Sequence, residues 1–330
     1  ISELRFLGSR WEREGVRRID GEILLSPGER LPDEEFFLGE VNNKENPDYS
    51  PPFAVHVENN IPDKEQSLVL NYQDLERGHM MRVSKQVSPR GDDYTAYRNM
   101  SWYWYNPSHD TADLDLLFRV GADTLNYYEV AYRFSDSGSK TGWRRMSVGL
   151  AELSNAKNGE LREDGAVHSR LADLETGEEY RVRVVGRPDL RRVRRYYMAV
   201  ANNLLTTPAS GYLYINDVRL EGIKRENGMA QRAGLRLNMA DVFKVDFDWK
   251  HNDDTFHGLD KRVGTGIDHE EWSVANSLNL EDYVPLAGFR LPVSGSRRQT
   301  IDQPRYVANS DIEILDNDLR MKDRFRKNKE

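Results

Sequence analysis

The residues of this chain that could do chemistry are many, but they do not converge. Seven histidines stand at His56, His79, His109, His168, His251, His257 and His269. None forms a helical i, i+4 pair or a His-Glu-x-x-His run, the spacing that puts two imidazoles on one helix face around zinc. His257 and His269 share a polar loop with Asp253, Asp254, Asp260, Asp268, Glu270 and Glu271. That set reads either as a loop-borne cation site or as a solvated acidic loop. Asp and Glu total 55, so close pairs such as Asp113/Asp115 and Glu178/Glu179 arise by chance and carry no signal for glycoside hydrolysis. The chain has no Gly-x-Ser-x-Gly elbow and no Walker-type loop, and Gly264-Thr265-Gly266 lacks the third glycine and the helix of a dinucleotide site. With no cysteine, disulfides, thiolate metal sites and thiol nucleophiles are excluded together. The sequence predicts a protein that is not an enzyme and carries no cofactor.

One aromatic run stands out, Ser101-Trp102-Tyr103-Trp104-Tyr105. On a strand it sends Trp102 and Trp104 to one face and the tyrosines to the other. The two indoles could form a platform for stacking sugar rings, as in a carbohydrate-binding module of a surface protein, or they could fill a sheet-on-sheet core.

The elements that must position these residues follow from patterning. The net charge of −8 disfavours general nucleic-acid binding, which needs a surplus of Lys and Arg; the basic run Arg187 to Arg195 reads as a solvated strand edge or turn. Hydrophobic residues make up 38% and charged residues 31%, and no window supplies the roughly 18 apolar residues of a membrane helix. Barrel strands stay possible, because they need only about 10 residues with every second one apolar. The chain opens on Ile1 without an export signal and so reads as an internal piece of a larger surface protein.

Residues 1–50, rich in Gly, Pro and acids, are expected to be an extended lead-in and linker ending at Pro51-Pro52. From 51 to 224 short alternating segments separated by turn residues predict an antiparallel, jelly-roll-like β-sandwich. Nine strands are expected, near Gln66 to Tyr72, Met80 to Val87, Tyr94 to Tyr105, Asp113 to Val120, Tyr127 to Phe134, Trp143 to Gly149, Tyr180 to Val185, Arg195 to Val200 and Gly211 to Glu221, with a short helical connector around Val148 to Ala156.

Residues 229–314 read differently. Ala233, Leu235, Leu237 and Met239 share one face of a strand, and Phe243, Val245, Phe247 and Trp249 share one face of the next, with Ala240-Asp241 as the turn. Trp272, Val274, Leu278 and Leu280 follow a polar loop; then come a turn over Asp282 to Gly288 and Phe289, Leu291 and Val293. Short turns at one end and long loops at the other are the asymmetry of outer-membrane barrels. On this reading Phe243, Val245, Phe247, Trp249, Trp272 and Val274 face lipid, while Lys244, Asp246 and Asp248 face a wet lumen. Four strands cannot close such a wall, for which about eight are needed, so the rest must come from elsewhere in the same chain. Periodicity alone equally allows a second soluble sheet with one wet face. The mixed-charge tail from 315 to 330 is expected to be an exposed loop.

Several stretches, in order, resemble the SprA/Sov family of type IX secretion translocons. They are Lys64-Glu65-Gln66-Ser67-Leu68-Val69-Leu70 with Asp74-Leu75; Asp113-Leu114-Asp115-Leu116 through Arg119-Val120-Gly121-Ala122-Asp123 to Asn126-Tyr127-Tyr128-Glu129; Val185-Gly186-Arg187-Pro188-Asp189-Leu190 with Val193; and Gly211-Tyr212-Leu213-Tyr214-Ile215-Asn216-Asp217-Val218-Arg219-Leu220. The resemblance implies a bacterial outer-membrane, cell-surface location and a very large barrel that exports folded cargo in type IX secretion and gliding motility. It also implies a PorV-like shuttle protein and a periplasmic plug as partners, and a sandwich that shapes or caps the conduit.

Overall fold

The computed structural model describes residues 3–5, 11–107, 113–137, 142–203, 205–224, 226–240, 243–258, 264–279 and 292–314. Two compact units divide the chain, Ile1–Lys224 and Arg225–Glu330.

The strands of the first unit are β1 (Glu3–Arg5), β2 (Glu12–Arg18), β3 (Glu35–Asn42), β4 (Val57–Glu58), β5 (Ile61–Pro62), β6 (Gln66–Leu75), β7 (His79–Gln86), β8 (Tyr97–Tyr105), β9 (Leu114–Gly121), β10 (Tyr127–Arg133), β11 (Arg144–Gly149), β12 (Glu160–Leu161), β13 (Val167–Ala172), β14 (Glu179–Val185), β15 (Arg195–Asn202) and β16 (Ala209–Ile223). A single turn and a half of helix, α1 (Leu150–Asn155), follows β11. One sheet has the order β11-β8-β16-β6-β3, with β1 also on β16; the other runs β12-β13-β14-β10-β9-β15-β7-β2. Every pairing within the two sheets is antiparallel.

Alternation explains the stack. Leu114, Leu116, Phe118 and Val120 of β9 point into the core, as do Tyr128 and Val130 of β10 and Tyr196, Met198 and Val200 of β15. They meet Leu70 and Tyr72 of β6, Trp102 and Trp104 of β8 and Leu213 and Ile215 of β16 from the other sheet. The long strand β16 serves two neighbours on one side; against β8, on its other side, its register shifts between Asn216 and Arg219, where Asp217 takes φ 51°. It pairs with β6 before this bulge and with β1 after it.

The expected β-sandwich is present, and each of the nine expected strands has its counterpart. The lead-in assigned to residues 1–50 is a correction: β2 extends the eight-stranded sheet and β3 the six-stranded one. These are edge strands, and the pattern is weak because β2, Glu-Arg-Glu-Gly-Val-Arg-Arg, buries only Val16.

The second unit is one antiparallel sheet in chain order, β17 (Ala230–Met239), β18 (Phe243–Asn252), β19 (Ile267–Asn279) and β20 (Pro292–Pro304). No closed barrel forms among the described residues. The expected Asp282 to Gly288 turn, Leu280, Phe289, Leu291 and the tail 315–330 lie outside the described residues.

Candidate functional site

Register makes the second unit two-faced. Across the sheet, Met239 pairs with Phe243 and Phe243 with Leu278, which pairs with Val293. The next rung on the same face is Leu237, Val245, Asn276 and Gly295, followed by Leu235, Phe247, Val274 and Arg297, then Ala233, Trp249, Trp272 and Gln299. The face is thus apolar over β17, β18 and most of β19. On β20 only Val293 continues it, and Arg297 lies over the Trp272 ring with its Cζ 5.8 Å from the centroid. Leu235, Leu237 and Met239 are 53%, 45% and 64% exposed; Phe243, Val245, Phe247, Trp249, Trp272 and Val274 are half-buried.

The opposite face is charged and paired. Arg232 Nη2 lies 3.2 Å from Asp248 Oδ1, Arg236 Nε 2.5 Å from Asp246 Oδ1 and Arg298 Nε 2.9 Å from Glu271 Oε1. Lys244, Ser273, Ser277, Ser294 and Ser296 share this face. All six residues expected on the apolar side and all three expected on the polar side therefore fall on two opposite faces of one sheet.

One border of the apolar face is marked by the cross-strand pair Trp249 and Trp272. Trp249 Nε1 donates to Glu270 Oε1 at 3.2 Å, and its ring stacks on His251 at 6.1 Å between centroids. Trp249 thus lays its indole body on the apolar band and turns its N–H to a polar partner. Beyond this border Arg305 contacts Glu226, Glu313 and Asp254, tying the start of β17 to the loop after β18 and to the end of β20.

The loop histidines do not gather as one metal centre. His251 comes together with Asp253 and Asp268, their ligand atoms lying within 4.8 Å of one another. His269 pairs instead with Asp302, and His257 turns to the Thr255 carbonyl. In the first unit Glu34, Glu76 and His79 form a second such group, with His79 Nδ1 3.0 Å from Glu34 Oε1.

Of the two readings of the aromatic run, the core one holds and the platform does not. Trp102 and Trp104 are each 2% exposed. Trp102 stacks on Phe118 at 4.4 Å, and Trp104 stacks on Phe134 and leans on Tyr132, both at 5.4 Å. They lie inside the sandwich because β8 is a central strand, and a sheet-on-sheet core takes its largest side chains there. The tyrosines on the other face offer no flat platform either: Tyr105 and Tyr214 meet edge to face at 69°, and Tyr103 meets Phe53 at 62°.

Among solved structures, an exo-β-agarase matches with a TM-score of 0.34 at 8% identity, over 63% of this chain and 24% of its own. PfGH50B matches with a TM-score of 0.31 at 10% identity, over 57% of this chain and 23% of its own. The chain thus spans about a quarter of the length of either. A carbohydrate-binding module described for specific mannan recognition, TmCBM27, matches with a TM-score of 0.26 at 14% identity, over 67% of this chain and 95% of its own. No curated protein matches. The SprA_N family of motility related/secretion proteins matches residues 39–324, and the chain belongs to that family.

Proposed function

We propose that this chain is a structural segment of a protein-conducting outer-membrane channel that exports folded cargo. The second unit contributes strands to the channel wall, and the sandwich shapes or caps the conduit. The two-faced sheet carries this reading. Its strands are 10 to 13 residues long, enough for a tilted strand to cross a bilayer, which takes about 9–11. Acyl chains solvate Leu235, Leu237, Phe243, Val245, Phe247, Trp249, Trp272 and Val274, whereas Lys244, Asp246 and Asp248 line water. Strands from the remainder of the same chain complete the wall. A PorV-like shuttle, a periplasmic plug and the cargo are its partners, and no residue of the chain does covalent chemistry. Trp102 and Trp104, being buried, cannot serve as the sugar platform of the carbohydrate-module alternative.

Thiol accessibility tests the wall. Residues 1–330 are free of cysteine, so a single cysteine placed there is the only thiol of this segment, and the protein without it gives the background labelling. In native outer membranes a charged, membrane-impermeant maleimide is expected to label Asp246→Cys and Lys244→Cys and to spare Val245→Cys and Phe247→Cys until detergent is added. Equal labelling at adjacent positions before detergent would rule out lipid on one face and water on the other.

A further inference from the structure

The outer face of the eight-stranded sheet buries two arginines that a channel wall does not use. Arg82 on β7 and Arg119 on β9 are 2% and 3% exposed, each in the middle of an apolar run. Each is held by one carboxylate from a strand of its own sheet. Arg82 Nε donates to Glu14 Oε2 at 2.6 Å, and Arg119 Nε donates to Glu129 Oε2 at 2.6 Å. Both guanidiniums then offer a second edge to the same group, the Glu22 carboxylate. Arg82 Nη1 lies 2.8 Å from Oε2, Arg119 Nη1 lies 2.8 Å from Oε1, and the Tyr127 hydroxyl donates to Oε1 at 2.7 Å.

Glu22 sits on a turn that folds back from β2, closed by Arg18 N to the Ile23 carbonyl at 2.9 Å and Leu25 N to the Val16 carbonyl at 3.0 Å. Gly21 has φ 70° and Glu22 φ 55°, and the second is a region that residues with a Cβ rarely occupy. The turn rests on the face through Ile19, which packs on the small patch of Met80, Leu117, Ala131, Ala199 and Ala201. Ile23 and Leu24 are more than half exposed. Beside the turn the face continues as a groove of about 1060 Å³, whose walls include Asp164, His168, Arg181 and Arg183.

We propose that Arg82, Arg119 and Tyr127 form a carboxylate-binding site which the turn at residues 19–24 occupies in cis, and that displacing the turn opens the groove to a glutamate-bearing peptide segment of a partner protein. The receptor outlasts its occupant, because Glu14 and Glu129 still orient the two guanidiniums once Glu22 leaves. A planar fork with two usable edges can hold a carboxylate of its own sheet and a second from outside. Charge favours an anionic replacement: with the turn displaced, six guanidiniums (Arg17, Arg82, Arg119, Arg162, Arg181, Arg183) line the groove against four carboxylates (Glu14, Asp115, Glu129, Asp164). The occupant is a glutamate presented by backbone, so the class of ligand is on view. Burial alone would raise the Glu22 carboxyl, but Arg119, the Tyr127 hydroxyl and Arg82 bring it below its ordinary value.

The test uses the full chain and a blocked peptide with the sequence of residues 17–25, Arg-Arg-Ile-Asp-Gly-Glu-Ile-Leu-Leu. A control peptide carries glutamine in place of its glutamate. Glu22→Gln is expected to bind the glutamate peptide about tenfold more tightly than the wild type does, because the internal competitor is disarmed. Adding Arg119→Met should abolish that binding, and the control peptide should not bind. A folded Glu22→Gln with no gain, or equal affinity for the two peptides, overturns the proposal. A wild-type arm stands independently of that variant's folding. Saturating glutamate peptide should speed amide hydrogen exchange at residues 19–24, and unchanged exchange there overturns it equally.

Discussion

Two guanidiniums and a phenol around one carboxylate make Glu22 a titrating staple, whatever else binds there. Its folded pKa lies below the ordinary value of 4.5, so the folded state binds a proton less readily than the unfolded chain does. The stability it contributes is fully present above about pH 4.5 and is lost as pH falls through the lowered folded value. Glu22→Gln should therefore unfold at lower urea near neutrality, by about 1.5–3 kcal/mol for hydrogen bonds to charged groups. The deficit should shrink as pH falls below that of the unfolded glutamate. Urea titrations of both proteins across an acid pH series check this, and a deficit that does not change with pH would contradict it. Part of the staple was legible in the sequence. A lone arginine inside Met80-Met81-Arg82-Val83 or Leu117-Phe118-Arg119-Val120 must find carboxylates or stay unburied. Its partner was not legible, since Asp20-Gly21-Glu22 reads as any exposed turn until the fold lays it over the sheet.

At the scale of elements, the strands that alternation revealed are those with one dry face. Leu114 to Val120 and Tyr212 to Leu220 announce themselves because every second residue must be apolar. Strands at and next to a sheet's end escape detection because fewer of their side chains are enclosed. The edge strand β2 keeps a single buried apolar residue, and β13, Val-His-Ser-Arg-Leu-Ala, flanked on its outer side only by the two-residue β12, buries none. The stretch of β20 that follows Val293 was hidden for another reason, since Ser-Gly-Ser-Arg-Arg-Gln looks like loop and becomes strand only by pairing along β19. Turns at strand ends follow stricter rules. A Cβ on Gly121, where β9 passes to β10, would stand 2.2 Å from the Asn126 carbonyl oxygen and 2.7 Å from Tyr127 Cα, and backbone cannot move aside as a side chain can. Gly121→Ala should cost about 1–3 kcal/mol or more by overpacking. Gly28→Ala, with nothing within 4 Å, should stay within about 0.5 kcal/mol. Chemical denaturation of the two variants decides it, and equal stability would mean that the β9–β10 hairpin relaxes freely.

The two units differ in how much they bury. Residues 1–224 enclose a continuous core in which Leu70, Tyr72, Met81, Val83, Val193, Tyr196 and Leu213 are fully buried, so water alone can drive their folding. Among the described residues of 226–314 the only buried one is Asp311. A sheet with no interior gains little from collapse in water, and its outer strands β17 and β20 each pair on one side only among the described residues, which leaves backbone donors and acceptors open to other strands. Loss of polarity on one face, ion pairs on the other and unpaired edges are what the channel wall we propose requires. Expressed alone, residues 1–224 are expected to unfold cooperatively on heating. Residues 225–330 should show no cooperative transition in buffer and should gain strand circular dichroism when transferred to detergent micelles or lipid vesicles. A sharp thermal transition with ordered aromatic signals from residues 225–330 in plain buffer would require a core that this sheet does not have, and the apolar face would then belong to a self-contained soluble fold.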